Sequence, residues 1–282
     1  MTEIFCCPRD ISYYPLPRTN SGSKYIRQSG NVTVSYVSPH TLPFGKWGDI
    51  SAMLISTKAK MLCESERDIE FESLYKELQK FGFDRSSGYQ ERRFFNALEA
   101  WTTVMVTVET VENLKKSIEN IPISIEAELY YGENKRDGKT LLPKKSFITL
   151  AEPGFRFFTE KAIPVKAEDI IRLQSVMDIR AYVWLVRKLY SIKHTPVLIS
   201  WDILYQQFGP VPRQLKPRFR ERFKNTLTYI QNQLYPGSHF FTDDEKGIVL
   251  IPSDPHIKPK SGEGILVPSF DAWSRSYLME AK

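Results

Sequence analysis

Long apolar runs are missing from this chain of 282 residues. No stretch approaches the roughly 18 consecutive apolar residues that a membrane helix needs. The start, MTEIFCCPRD, has neither the basic beginning nor the apolar run of a secretory signal. A soluble protein that stays in the cytoplasm, with no membrane partner, is therefore expected. Cysteine is scarce too. The adjacent Cys6 and Cys7 and the distant Cys63 form neither an even disulfide framework nor C-x-x-C spacing, so free thiols in a reducing compartment are expected.

Catalytic signatures are equally thin. The four histidines, His40, His194, His239 and His256, make no H-E-x-x-H and no His-x-His pair, and there is no G-x-S-x-G elbow. A strand-nicking enzyme would need a metal-holding histidine pair beside its tyrosine, so Tyr13 and Tyr14 read as packing or linker residues. GENKRDGKT at 132–140 imitates a phosphate loop, but five residues rather than four separate Gly132 from Gly138, and its flanks are strand-like on both sides. A loop one residue too long cannot set its N–H groups and Lys139 around the same phosphates, so it reads as a basic hairpin tip. No enzyme, metal or cofactor is expected.

What is present suffices for a folded protein of two domains: 41% hydrophobic and 13% aromatic residues, with a sequence pI near 9.0. Residues 1–30, with Pro8, Pro15, Pro17, Gly22, Gly30 and unpatterned serines, read as a flexible lead-in. Residues 257–282 read as a flexible tail with a short amphipathic piece from Phe270 to Leu278. Between them lie two blocks of similar order, 31–155 and 156–256.

In the first block, Ile50, Met53, Leu54, Thr57 and Met61 fall on a helical stripe within 42–61. A strand over 68–71, a helix over 72–81, a Gly/Asp/Ser turn over 82–87 and a helix over 88–101 follow. The last buries Phe94, Phe95, Leu98 and Trp101 and leaves Gln90, Arg92, Arg93 and Asn96 on other faces. Strand-rich residues come next at 102–111, 124–131 and 146–150. The second block repeats this order: helices over 164–172 and 176–190, a strand over 196–199, and a helix over 201–208 capped by Ser200. Gly209-Pro210 stops that helix, Gly through its tolerance of positive φ and Pro through its missing donor. A helix over 214–234 follows, with Leu215, Phe219, Phe223, Leu227, Ile230 and Leu234 on one stripe, and then a wing hairpin from 240–242 and 248–251. The expected fold class is α+β, two tandem winged helix-turn-helix domains.

Charge singles out the second block. Residues 178–224 carry ten lysines and arginines against three acids, a net +7 where the whole chain is +6. Arg213, Gln214, Lys216, Arg218, Arg220, Glu221, Arg222, Lys224, Asn225 and Thr228 lie on or beside a helix that follows a short helix and a tight turn, the place of a recognition helix. Arg can bind guanine bidentately and Asn or Gln can read adenine, while lysines mostly neutralise phosphate. Glu221 suits either a cytosine amino group or an i,i+3 pair with Arg218 or Lys224. Double-stranded DNA is the expected partner.

These residues also resemble a known family, the plasmid replication initiators of the RepA type. The resemblance spans about 42–256 and rests on LPFGKWGDISAMLISTKA at 42–59, MDIRAYVWLVRKLYSIK at 177–193, ISWDILYQQFG at 199–209 and FKNTLTYIQNQLYP at 223–236. It implies a cytoplasmic protein that binds repeated sites, iterons, at its plasmid origin, one half-site per domain. It also implies opening of adjacent A·T-rich DNA, recruitment of the host initiator and replicative helicase, and a homodimeric form that represses its own gene. Carried over, the second-block readers lie within 213–228 and the first-block readers are Ser87, Gln90, Arg92, Arg93 and Asn96. With Glu91 beside only two basic groups, the first-block helix suits base reading, phosphate contact or dimerisation alike. A transcriptional repressor of the same fold would carry the same signatures.

Overall fold

The computed structural model describes residues 4–71, 74–79, 88–130, 145–209 and 216–258. The chain divides into two compact units, Met1–Val176 and Met177–Lys282.

The first unit opens with β1 (Ile4–Cys7), α1 (Arg9–Tyr13), β2 (Lys24–Ser29) and β3 (Val32–Val37). It continues through α2 (Gly45–Ala59), β4 (Asp68–Phe71), α3 (Leu74–Gln79), α4 (Gly88–Trp101), β5 (Met105–Glu112), β6 (Lys115–Pro122), β7 (Ser124–Glu128) and β8 (Ser146–Leu150). It closes with α5 (Glu152–Thr159), β9 (Ile163–Lys166) and α6 (Ala167–Arg172). Helix α2 is buried along most of its length, including Ile50, Met53, Leu54 and Ile55, and so forms the centre rather than one wall of the core. Trp101, wholly buried at the end of α4, donates its indole N–H to Ser51 Oγ (3.2 Å) and meets Phe158 of α5 edge-on at 5.4 Å. The order α2, β4, α3, α4, β7, β8, with the sheet β4-β8-β7, is a winged helix. Inserted into it, β5 and β6 join β2 and β3 in a four-stranded antiparallel sheet, β2-β3-β5-β6.

Several expectations change here. The segment expected to be a loose lead-in, 1–30, carries β1, α1 and β2 among its described residues, because each strand finds a partner: β1 pairs with the distant β9, and β2 forms a hairpin with the neighbouring β3. The expected boundary at 155/156 moves to 176/177, since α5 brings Phe157 and Phe158 to Trp101 and β9 binds β1. Pro164, expected in a helix, sits on β9, whose two-stranded sheet leaves every strand an edge that tolerates a missing donor. Met61 lies beyond the end of α2 and is 79% exposed, so it is no part of the buried stripe. The turn expected over 82–87 and the tail from 259 onward fall outside the described residues.

The second unit runs α7 (Val176–Ser191), β10 (Val197–Ser200), α8 (Trp201–Phe208), α9 (Lys216–Gln233), β11 (Phe240–Asp243) and β12 (Gly247–Leu250). Its sheet order is β10-β12-β11, so the β11–β12 hairpin closes onto the strand between the first two helices. This too is a winged helix. Ser200 caps α8, its hydroxyl accepting from the Ile203 N–H at 3.4 Å. Gly209 leaves α8 through extended backbone, φ −66° and ψ 161°, rather than positive φ, and glycine is needed there because a Cβ would stand 2.4 Å from the Tyr205 carbonyl. Phe219, Phe223, Leu227, Ile230 and Leu234 are buried as their spacing requires. Trp184 of α7 meets Phe208 and Phe223 edge-on at 6.1 and 5.7 Å, and Tyr205 meets Phe219 at 5.2 Å, so one aromatic cluster locks α7, α8 and α9 together.

Candidate nucleic-acid interface

The stripe that buries α9 decides what its other residues can do. Opposite Phe223 and Leu227, at helical spacing, stand Arg218, Glu221, Arg222, Asn225 and Thr228, all exposed. They form one continuous solvent face offering two guanidinium forks, a carboxylate, an amide and a hydroxyl. Tyr229, 43% exposed, extends the same face at i+11 from Arg218 and i+7 from Arg222. It was not among the sequence candidates, although the periodicity that selects Arg218 and Asn225 selects it too. Arg213 and Gln214 fall outside the described residues, and of Lys216 only the backbone is described, as the first residue of α9.

Arg220 and Lys224 are half-buried and turn to the flank facing the β11–β12 turn. Both cations stand over the Trp201 ring, at 5.8 and 5.6 Å from its centroid. Arg220 Nη1 donates to the Asp244 carbonyl at 3.2 Å, and the Lys224 ammonium pairs with the Asp244 carboxylate. The partner proposed for Lys224 within the helix, Glu221, is thus replaced by a residue of the wing. Trp201 donates its indole N–H to the Asp243 carbonyl at 2.8 Å. The Asp243 carboxylate accepts from the Glu245 and Lys246 N–H groups at 2.9 and 2.8 Å. The Lys246 and Glu245 N–H donors hold the Asp243 carboxyl below its ordinary value. The wing turn is thereby fixed to the start of α8 and to one flank of α9. Trp201, Asp243 and Asp244 were invisible as a group in sequence, where they are far from Arg220.

On α7, burial and the neighbouring Arg187 lower the Lys188 pKa from the usual lysine value. Thr226, on the buried side of α9, donates to Asp178 of α7 at 2.9 Å and so ties α9 to α7 from behind.

In the first unit, α4 occupies the corresponding place. Arg92, Arg93 and Asn96 are exposed, Gln90 and Glu91 are half-buried, and Ser87 lies outside the described residues. The Arg93 guanidinium stands 5.3 Å from the centre of the Tyr89 ring, itself 66% exposed, so Tyr89 joins this face. A depression of about 520 Å³ runs along one side of α4, lined by Arg93, Asn96, Glu99, Trp47 and His40. The stretch GENKRDGKT at 132–140 lies outside the described residues, between β7 and β8 in the chain. Among the described residues no three His, Cys, Asp or Glu side chains stand together as a metal site, and no helix is long and apolar enough to cross a membrane. Cys6, Cys7 and Cys63 take part in no disulfide.

No protein-family profile and no curated protein matches this chain in sequence. Its fold is similar to crystal structures of RctB domains 2–3. One, RctB-155-483, gives a TM-score of 0.53 at 13% identity, covering 85% of this chain and 94% of that one. A selenomethionine form of domains 2 and 3 gives the same score and identity over 92% and 93%. The likeness is one of fold. The matched shares of this chain are long enough to include residues of both units.

Proposed function

We propose that this chain is a replication initiator that binds double-stranded DNA through the exposed face of α9, with α4 as a second contact. The observation that carries the reading is the grouping of Arg218, Arg222, Asn225 and Thr228 on the solvent side of a helix that follows α8, as in a helix-turn-helix. The fold shared with RctB domains 2–3, a replication-initiator-like architecture, supports the same reading. In its finer form the protein acts at a plasmid origin, reading iterons with both units, opening A·T-rich DNA and engaging the host initiator and helicase. A homodimer would repress its own gene. It works in the cytoplasm without catalysis or cofactor. Affinity comes largely from counterion release, and specificity from base contacts worth about 1–3 kcal/mol each.

The test is selection of bound duplexes from a random library near physiological salt, followed by footprinting. Enrichment of one site of about two helical turns, repeated in the parent replicon, is the expected result. Enrichment of no sequence overturns it. Binding without melting of an A·T-rich tract or helicase recruitment would leave a repressor instead.

A further inference from the structure

The wing turn engages two of the cations that the sequence assigns to DNA. Asp244 meets Lys224 through its carboxylate and Arg220 through its carbonyl, and its own side chain is 81% exposed. Lys224 is 26% exposed, and both cations lie against the Trp201 ring. This cluster sits on the flank of α9 next to the face of Arg218, Arg222 and Asn225. A DNA phosphate approaching that flank would offer Lys224 an anionic oxygen in place of the Asp244 carboxylate, and Arg220 one in place of the neutral Asp244 carbonyl.

We propose that the Asp244 carboxylate is an internal stand-in for phosphate: it competes with the DNA backbone for Lys224 and thereby lowers the affinity and salt dependence of the second unit for DNA. This rests on the reading of α9 as a DNA-binding helix. The competition is of the right strength to be adjustable. A surface ion pair is weak, so a phosphate can displace it, and the displacement subtracts from what Lys224 would otherwise contribute. The base-facing Arg218, Arg222 and Asn225 take no part in it. Asp244 therefore sets how tightly the protein holds any duplex without setting which sequence it prefers.

The experiment measures duplex binding of the full chain as a function of salt for wild type, Asp244→Ala, Glu245→Ala, Lys224→Ala and the Lys224→Ala/Asp244→Ala pair. Glu245→Ala removes the same charge from the same turn, but its side chain makes neither of the contacts that Asp244 makes. Expected for Asp244→Ala is a gain of about three- to tenfold near 0.1 M salt and a log–log slope steeper by about one, since only Lys224 loses its carboxylate partner. Glu245→Ala leaves the slope unchanged, and the double variant loses most of the gain. A wild-type slope in Asp244→Ala, or an equal effect in Glu245→Ala, overturns the proposal. Elution from immobilised heparin separates its failure from that of the DNA reading. If no variant binds duplex yet Asp244→Ala elutes later than Glu245→Ala, the competition stands and the DNA assignment falls. Unchanged elution with normal duplex binding does the reverse.

Discussion

Helices α4 and α9 hold the same place in two versions of one architecture, and on sequence charge alone they look unlike. The helix of the second unit lies in a strongly basic stretch, whereas that of the first has two arginines with acids beside them. Their solvent faces tell another story. Exposed on α9 are Arg218 and Arg222 with Glu221, and exposed on α4 are Arg92 and Arg93 with Glu99. Each described face thus carries two guanidinium groups, one carboxylate and an asparagine, Asn225 or Asn96. The surplus on α9 is spent within its own unit, Arg220 and Lys224 lying on Trp201 and Asp244. Counting charges along a helix overstates what it offers a ligand when one flank is packed against an aromatic ring. The larger contrast is the extra sheet, β2-β3-β5-β6, which only the first unit possesses among the described residues.

The most severe way to probe this comparison is to empty the two cores in turn. Trp101→Ala in the first unit and Phe223→Ala in the second should each cost about 3–5 kcal/mol, because each removes a wholly buried aromatic at the meeting of several helices. Denaturant unfolding followed by probes in each unit checks this, and a folded, unperturbed Phe223→Ala would mean that α9 is inside out. Next come two glycines that admit no Cβ. Gly247 opens β12 with φ +150° and would set a Cβ 2.1 Å from the Ile199 carbonyl, while at Gly154 of α5 a Cβ would meet the Ile123 carbonyl at 2.1 Å. Alanine at either should lose about 1–3 kcal/mol, read as a lowered unfolding midpoint.

On binding, Arg218→Ala and Arg222→Ala should each weaken duplex affinity by about 1–3 kcal/mol while thermal unfolding stays unchanged. If the faces are as alike as they look, Arg92→Ala and Arg93→Ala should produce losses of the same order in a titration on the selected site. Losses confined to α9 would break the equivalence and leave α4 another task. The smallest effect belongs to Asp243. Its folded pKa is lowered, so the wing turn has its full contribution above the ordinary value of 3.8 and loses it as pH falls through the lower folded value. Asp243→Asn should flatten that acid-side loss, seen in the pH dependence of the unfolding midpoint.

The elements most legible in sequence were those whose burial is local. The Phe219-to-Leu234 stripe, the Ser200 cap and the apolar spacing of α4 need no distant partner to be recognised, and all three stand in the structure. What escaped was set by partners far along the chain. β1 is four residues that acquire strand character only against β9, and β6 is so exposed and polar that its residues show no alternation to read. The site divided the same way: Arg218, Arg222 and Asn225 were found by helix geometry, whereas the inward turn of Arg220 and Lys224 depends on Trp201 and Asp244. Proline and glycine content misled at 1–30 because turns between short strands use the same residues as loose chain.

The pairing of β1 with β9 carries a consequence for synthesis. Ile4 lies opposite Lys166, so the first strand waits for about 160 residues of nascent chain before its partner exists. At about 5–20 residues per second that is roughly 8–32 s during which one edge of the first unit stays unsealed. The second unit has no such delay, since every described element from α7 to β12 finds its partners within one short stretch. On the ribosome, the order of emergence and the order of completion nearly coincide: the first unit is sealed only as the second begins to appear.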